Sequence, residues 1–229
     1  MIKHISFDFW RTLALSNPKF SELRLLYLQK NHLEHLDLVT IDKIIEKVGD
    51  EVDEINMNDG VSLPPSTMYS MVFNKLDHPI NSVCLKKIIE DIDSIFLENP
   101  PKLFSKEIPK ILEELKIHNF SMNISSNTAY IKGNVLEKAM KLLNIHDYFN
   151  FFIFSDEINH SKPSPHFFKS VIDSCSNLGV SSKEIIHVGD NYRADILGAT
   201  ESQIKSIHVN SNYISIREGL CQDNILQHI

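Results

Sequence analysis

The sequence predicts an α/β fold in which a parallel sheet has helices on both faces and is interrupted by a block of helices. Three observations lead to this prediction. The chain opens with a strand-like run, and residues 16–100 then show four helical patterns with no strand between them. From residue 101 to residue 209, strand-like runs alternate with helical patterns, as in parallel sheets. We therefore expect an α/β core domain from residues 1–15 and 101–229, and an inserted four-helix domain from residues 16–100.

The first strand is predicted over Ile2–Phe9. Its near-continuous hydrophobicity is typical of a strand that is buried on both faces of a parallel sheet. The helices of the inserted domain are predicted to begin near proline or polar residues, which favour helix starts. These starts lie near Pro18, Thr40, Pro65 and Asn81.

After Pro100 and Pro101, the pattern predicts four more strands of the core and the helices between them. The predicted strands are Phe120–Ser126, Phe149–Phe154, Glu184–Val188 and Ile204–Val209. The predicted helices are Ser105–His118, Lys132–Leu143, Pro165–Leu178 and Arg193–Ser202. Residues 210–229 are expected either to form a closing helix or to fray.

Composition narrows the class of function. The net charge is −7 and no run of Lys or Arg occurs, which argues against nucleic acid as a partner. Three cysteines without a Cys-x-x-Cys pair suggest neither a zinc site nor a disulfide framework. The chain shows no apolar stretch of membrane-spanning length and no signal-peptide pattern, so no membrane partner and a cytoplasmic location are expected. A monomer and a homodimer are both compatible with the sequence.

Polar residues follow three of the predicted strands. Asp8 lies at the end of the first, Ser126 and Asn127 at the end of the second, and Asp190 after a later one. In open parallel sheets, ligands bind beyond the carboxyl ends of the strands. Two carboxylates that converge there repel each other unless a cation lies between them, and a hard cation with oxygen ligands is expected. Asp195, five residues after Asp190, could support the pair.

Four segments resemble, in order and spacing, the motifs of the haloacid dehalogenase-like (HAD) superfamily. The segment from Phe7 to Leu13 resembles Asp-x-Asp-x-Thr, and Ser126-Asn127 resembles the second motif. Lys162, in Lys-Pro-Ser-Pro, resembles the motif lysine, and Gly189–Asp195 resembles Gly-Asp-x-x-x-x-Asp. The resemblance extends to about residue 209. It implies a Rossmann-like core, and the inserted helices match the helical cap that many members have between the first two motifs.

The resemblance also implies a reaction. Asp8 would be the nucleophile, attacking phosphorus of a small phosphorylated substrate to form an aspartyl-phosphate. Asp8, Asp190 and the backbone carbonyl of Trp10 would hold Mg²⁺, with Asp195 in support. The ion would offset the repulsion between an anionic carboxylate and an anionic phosphoryl group.

The remaining motif residues would bind the phosphoryl group. Ser126 and the backbone of Asn127 would donate hydrogen bonds to its oxygens near a helix start. Lys162 would neutralise charge on the nucleophile and on the phosphate. Arg11 and Thr12, which follow the nucleophile in the first motif, are further candidates for substrate binding.

The first motif departs from the family pattern at Trp10. In phosphatases of the superfamily, an aspartate at this position protonates the leaving group and then activates water, and indole can do neither. General acid–base catalysis typically contributes about 10²–10⁴-fold. An aromatic residue here is similar to the Tyr of the haloacid dehalogenases, which need no metal, yet those lack the aspartate that this chain keeps as Asp190.

Three hypotheses therefore stay open at the level of sequence. The first is a Mg²⁺-dependent phosphohydrolase, slow or suited to activated phosphates. The second is a dehalogenase-like hydrolase of a non-phosphate small molecule, and the third a catalytically weak member that binds phosphoryl groups. Asn17, Phe20 and Arg24, near the first connection between the domains, are candidate substrate contacts. His187 is predicted to be a hydrogen-bonded core residue.

Overall fold

The computed structural model describes residues 1–226 and confirms the α/β fold. Five parallel strands form the central sheet, in the spatial order β5-β4-β1-β6-β7. A short antiparallel pair, β2 and β3, joins the two connections between the core and the inserted helices. The strands are β1 His4–Phe7, β2 Ala14–Leu15, β3 Lys102–Leu103, β4 Ser121–Ser126, β5 Phe151–Phe154, β6 Ile185–Gly189 and β7 Lys205–His208.

Ten α-helices within residues 1–226 surround the sheet or lie in the inserted block. The first four are α1 Pro18–His32, α2 Leu38–Asp59, α3 Pro65–Lys75 and α4 Ser82–Glu98, and no strand lies between them. The others are α5 Ile108–Ile117, α6 Gly133–Leu142, α7 Ser155–Ile158, α8 Pro165–Asn177, α9 Gly198–Glu201 and α10 Ile216–Gln222. Within residues 1–226, no helix combines the length and the apolar character that a membrane span requires.

Apolar side chains pack on both faces of the sheet. One cluster joins Ile5, Phe7 and Val188 to helices α5, α6 and α10 and continues into the inserted helices. A second, smaller cluster packs Ile185 against α8 and α9. Burial of apolar area on each face is the main force that holds helices against a parallel sheet.

The second face of β1 is polar rather than apolar, although it is fully buried. His4 and Ser6 point to this face, and both are inaccessible to solvent. His4 Nε2 shares a hydrogen bond with Asn123 Oδ1 at 2.9 Å, and Ser6 Oγ lies 2.8 Å from Ser125 Oγ. Because buried polar groups must find partners, the facing residues of β1 and β4 are chemically matched. The predicted burial of the first strand on both faces is confirmed, and on this face hydrogen-bonded polar side chains fill the interior.

The first strand also ends earlier than predicted. β1 stops at Phe7, because the chain turns sharply and the amides of both Leu13 and Ala14 donate to the carbonyl of Phe9. Arg11 adopts a left-handed conformation with φ of 59° inside this turn. The turn leaves Asp8 at the carboxyl edge of the sheet.

The predicted helix Arg193–Ser202 is two elements. A π-helical turn covers Tyr192–Leu197 and is followed by α9. π-Turns are rare and often occur at functional sites. The predicted closing helix is present as α10, and residues 227–229 lie outside the described part of the chain.

Two glycines in helices give a paired test of packing. A methyl group on Gly133, at the start of α6, would overlap the side chain of Phe154, whereas a methyl group on Gly49, inside α2, would meet nothing within 4 Å. We expect Gly133→Ala to lower the free energy of unfolding by about 1–3 kcal/mol. Gly49→Ala should raise it by about 0.5–1 kcal/mol, because alanine loses less backbone entropy in a helix. Urea unfolding of both variants measures this, and a destabilised Gly49→Ala would contradict the assignment of free space there.

Candidate active site

The candidate site lies at the carboxyl edge of the sheet, where β1 runs between β4 and β6. The chain adds β4 and β5 on one side of β1 and then β6 and β7 on the other, and a crevice opens where this order reverses. The crevice is a cavity of about 270 Å³ that contains five charged groups from the predicted motifs. Its walls are Asp8, Trp10, Arg11, Asp53, Met57, Asn127, Thr128, Ala129, Lys162, Asp190, Asn191, Ala194 and Asp195.

The Lys162 ammonium group lies at the base of the site and is 1% exposed. Its Nζ donates to Asp8 Oδ1 at 2.7 Å, to Asp195 Oδ1 at 2.6 Å and to the carbonyl of Ser125 at 2.8 Å. Burial disfavours its charge, but Asp195 and Asp8 outweigh burial and raise the pKa of Lys162. A buried cation with all three N–H bonds satisfied can hold two carboxylates at fixed positions.

The backbone of Lys162 is held on both sides. Its N–H donates to Asn127 Oδ1 at 2.7 Å, and its carbonyl accepts from Asn127 Nδ2 at 3.0 Å. The preceding residue, Ser161, donates its N–H to the carbonyl of Gly60 at 3.0 Å, and its hydroxyl lies 3.3 Å from the carbonyl of Asn56. The lysine loop therefore bonds both to the second motif and to the end of α2.

The Asp8 carboxylate accepts two hydrogen bonds. Oδ1 accepts from Lys162, and Oδ2 accepts from Thr12 Oγ1 at 3.0 Å. Burial raises the pKa of Asp8 to about 7, against the opposing effect of the Lys162 ammonium group. Thr12 is buried and contacts Asp8 rather than lining the cavity, and its role in substrate binding stays a prediction.

Asp195 supports the lysine. Its Oδ1 accepts from Lys162 and from His187 Nε2 at 3.1 Å, and its Oδ2 accepts from the amide of Asn191 at 3.0 Å. Burial alone would raise the pKa of Asp195, but Lys162 and His187 hold it well below its usual range. His187 is fully buried, as predicted, and continues the polar network by contacting Ser6 Oγ at 3.1 Å.

Asp190 has the fewest protein contacts of the three carboxylates. Within residues 1–226, its side chain contacts one cation, the exposed Arg11, whose Nε lies 3.3 Å from Oδ2. Burial and the neighbouring Asp195 raise the pKa of Asp190.

The donor set fits a hard divalent cation. One ligand atom from each of Asp8, Asp190 and Asp195 lies within 4.8 Å of the others. Within the described residues, no protein group donates to the carbonyl of Trp10, so this oxygen is also available. Carboxylate and carbonyl oxygens are the ligands that Mg²⁺ prefers. Asp195 accepts three hydrogen bonds, from Lys162, His187 and the amide of Asn191, whereas Asp8 accepts two, so Asp8 and Asp190 are the better candidates for direct contact.

Ser126 is not brought to the cavity. It is fully buried, and its hydroxyl donates to the carbonyl of Asn127 at 3.2 Å. The next residues, Asn127, Thr128 and Ala129, do line the cavity. As placed, Ser126 could reach a phosphoryl group only after its hydroxyl gives up this bond.

The inserted helices add two residues that the sequence analysis did not identify. Asp53 and Met57 lie on α2 and line the cavity from the side of the inserted block. Their spacing of four residues places them on one face of the helix, which is the sequence signal that could have pointed to them.

A second cavity of about 250 Å³ adjoins the first and shares Trp10 and Ala129 with it. Its walls are aromatic: Trp10 meets Phe96 edge-to-face at 6.4 Å, and Phe96 meets Phe20 at 5.0 Å. Of the three candidate contacts near the first connection, Phe20 lines this cavity. Arg24 packs on the ring of Phe20 at 5.5 Å.

Asn17, the third candidate contact, holds the connection itself. Its Oδ1 caps α1 by accepting from the amide of Lys19, and its Nδ2 donates to the carbonyl of Pro100 at 3.1 Å. Both ends of its side-chain amide are thus engaged away from the cavity.

Removal of the buried ammonium group should be costly. Lys162→Met leaves Asp8 and Asp195 buried without their cation, and such breakage typically costs about 3–5 kcal/mol. We expect a lower midpoint of urea unfolding, measured with chelator present. Lys169→Met is the control, because Lys169 lies on the surface in an exposed pair with Asp173 and should change stability little. Equal midpoints for the two variants would contradict a structural role for Lys162.

Comparison with known proteins agrees with this architecture. A glyceraldehyde 3-phosphate phosphatase from Pyrococcus abyssi (strain GE5 / Orsay) is 26% identical over 212 residues, which cover 90% of this chain and 81% of the relative. A protein of the same description from Methanothermobacter thermautotrophicus is 32% identical over 100 residues, or 44% of this chain. That match covers only 42% of the relative's length. A match to a third such phosphatase, from Methanopyrus kandleri, covers 47% of that relative's length.

Two solved structures share the fold. The HAD-hydrolase YfnB from Bacillus subtilis, solved bound to magnesium, has a TM-score of 0.69 at 16% identity and covers 98% of this chain and 99% of its own. The 2-haloacid dehalogenase from Pseudomonas syringae pv. Tomato DC3000 has a TM-score of 0.68 at 19% identity, covering 100% and 99%. The family model of the haloacid dehalogenase-like hydrolases matches residues 5–209. The protein therefore belongs to the haloacid dehalogenase-like hydrolases.

Proposed function

We infer that this hydrolase is a Mg²⁺-dependent phosphohydrolase that removes a phosphoryl group from a small metabolite through an aspartyl-phosphate at Asp8. The observation that supports this most is the buried group of Asp8, Lys162 and Asp190 in one cavity. A carboxylate nucleophile needs positive charge beside it if an anionic phosphoryl group is to approach, and Lys162 supplies such charge at 2.7 Å.

Each residue has a defined task in this proposal. Lys162 and Thr12 fix the two oxygens of Asp8, so that the carboxylate presents one orientation to phosphorus. The loop from Asn127 to Ala129 lines the same cavity and offers groups to the phosphoryl oxygens. Mg²⁺, held by Asp8, Asp190 and the carbonyl of Trp10, would supply charge neutralisation for the phosphoryl group when bound.

The curated relatives favour phosphate over other substrates. Glyceraldehyde 3-phosphate phosphatases and a phosphoglycolate phosphatase from Aquifex aeolicus are among them. A cavity of about 270 Å³ suits a phosphoryl group with a small organic remainder. The cytoplasmic location and the choice between monomer and homodimer stay predictions.

The dehalogenase hypothesis rests on one observation, the aromatic side chain of Trp10 beside the nucleophile. Against it, Asp190 is present, buried and open to a cation. The phosphate hypothesis accounts for both the carboxylates and the lysine, whereas metal-free displacement of halide has no use for Asp190.

Hydrolysis of 4-nitrophenyl phosphate tests the proposal. We expect turnover with Mg²⁺ and its loss with chelator, and we expect Asp8→Asn to lower kcat by at least about 10³-fold, as loss of a nucleophile does. Asp173→Asn, which changes an exposed aspartate on α8, is the matched control and should keep the native rate.

Two results would count against this function. The first is a native rate no higher than that of Asp8→Asn. The second is hydrolysis of a 2-haloacid that requires Asp8 but is indifferent to chelator, which would favour the dehalogenase.

A further inference from the structure

The side chain of Trp10 leaves a chemical gap in the proposed reaction. An alkoxide leaving group needs a proton, and the water that hydrolyses an aspartyl-phosphate must lose one. Indole has a single N–H donor and no acceptor, and it neither loses nor gains a proton near neutral pH. Another group in the cavity must transfer these protons if alkyl phosphates are substrates.

Four of the five acidic or lysine side chains in the cavity already have other tasks. Asp8 is the nucleophile, and Lys162 has all three of its N–H bonds engaged. Asp195 accepts hydrogen bonds on both oxygens, and Asp190 pairs with Arg11. Asp190 would also hold the cation, so the proton must come from a carboxyl group that none of these tasks occupies.

Asp53 is the fifth such residue. Between residues 1 and 226, its carboxylate has neither a hydrogen bond nor an ion pair, although it lines the same cavity as Asp8. It lies on α2, exposed at the mouth of the cavity, with Met57 one turn further along the helix. Its oxygens are therefore available to a substrate.

The position of Asp53 matches the geometry of phosphoryl transfer. The attacking and leaving oxygens lie roughly in line on opposite sides of phosphorus. Asp8 attacks from the edge of the sheet, so the leaving oxygen points away from the sheet. Asp53 and Met57 are the cavity residues that come from the inserted helices. Of these two, only Asp53 can exchange a proton.

The charged surroundings of Asp53 also suit proton transfer. Asp50 precedes it on the same helix, and Tyr130 faces it from the loop after β4, while the cations Arg11 and Lys162 belong to the opposite walls. Partial burial and the charge of Asp50 raise the pKa of Asp53. A carboxyl group with a raised pKa keeps more of its protonated form near neutral pH, and only that form can donate a proton to the leaving group.

We propose that Asp53 is the general acid and base of this enzyme, in the role that position 10 cannot fill. The proposal rests on the phosphohydrolase function. In the first step, an Asp8 oxygen bonds to phosphorus, the bond from phosphorus to the leaving oxygen breaks, and the Asp53 carboxyl proton passes to that oxygen to give an alcohol. In the second step, the water oxygen bonds to phosphorus while the Asp53 carboxylate takes a proton from that water. The bond to Asp8 then breaks and inorganic phosphate leaves.

The test compares two substrates on the full chain with Mg²⁺. Glycerol 2-phosphate has a poor leaving group, and 4-nitrophenyl phosphate has one that needs no proton. We expect Asp53→Asn to lower kcat for glycerol 2-phosphate by about 10²–10⁴-fold. With 4-nitrophenyl phosphate, the variant should release about one equivalent of nitrophenolate rapidly and then turn over slowly, because hydrolysis of the aspartyl-phosphate lacks its base. Glu54→Gln, an exposed neighbour outside the cavity, should behave as the native chain does.

A second variant separates proton transfer from binding. Trp10→Asp in the Asp53→Asn chain should restore turnover of glycerol 2-phosphate. The proposal is overturned if Asp53→Asn matches Glu54→Gln on both substrates, or if it raises KM for both while kcat is unchanged. A native rate on 4-nitrophenyl phosphate no higher than that of Asp8→Asn would overturn the phosphohydrolase function as well, so the two failures are distinguishable.

Discussion

The buried ammonium group of Lys162 is the constraint on which the site depends. A cation that is 1% exposed is stable only if carboxylates and carbonyls satisfy it, and here three different segments do so. Asp8 comes from the end of β1, the Ser125 carbonyl from β4, and Asp195 from the π-turn after β6. The lysine therefore fixes the relative positions of three strand ends. An exposed lysine at the same place could leave each of these loops free to move.

The polar network continues below the lysine into the sheet. His187 connects Asp195 to Ser6, and Ser6 contacts Ser125. Asn123 then links Ser125 to His4, which contacts Ser121. Such a network in a low-dielectric interior is stabilising only when every member is satisfied, and it then permits few alternative arrangements. A polar face in the middle of a parallel sheet buries less apolar area, but its hydrogen bonds hold the nucleophile in one position. Fold and site are thus parts of one hydrogen-bonded unit.

Much of this arrangement could be predicted from the sequence, and the parts that could not have physical reasons. The strand ends that meet in the cavity follow from short motifs, because the carboxyl ends of parallel strands share one edge. The alternation of His4 and Ser6 with apolar residues was visible, but the hydrophobicity of the run as a whole concealed it. The inward turn of the Ser126 hydroxyl depends on the register of β4 and on a bond to its own neighbour. The spacing of Asp53 and Met57 places both on one face of α2, but whether that face meets the cavity depends on how α2 packs over the sheet.

The two walls of the cavity differ in chemistry. The sheet edge supplies the charged groups that can hold a nucleophile, a cation and a phosphoryl group, and it is rigid. The inserted helices supply one carboxylate and, around Trp10, aromatic surface from Phe20 and Phe96. An indole at position 10 cannot transfer a proton at the sheet edge, as an aspartate there could. It does extend this aromatic surface to the point where the leaving group must lie. If the carboxylate of α2 transfers the proton instead, one contact between helices and sheet determines both which leaving group fits and whether it is protonated. Substrate choice and acid–base catalysis would then reside in the same inserted helices, while the chemistry at phosphorus stays with the core.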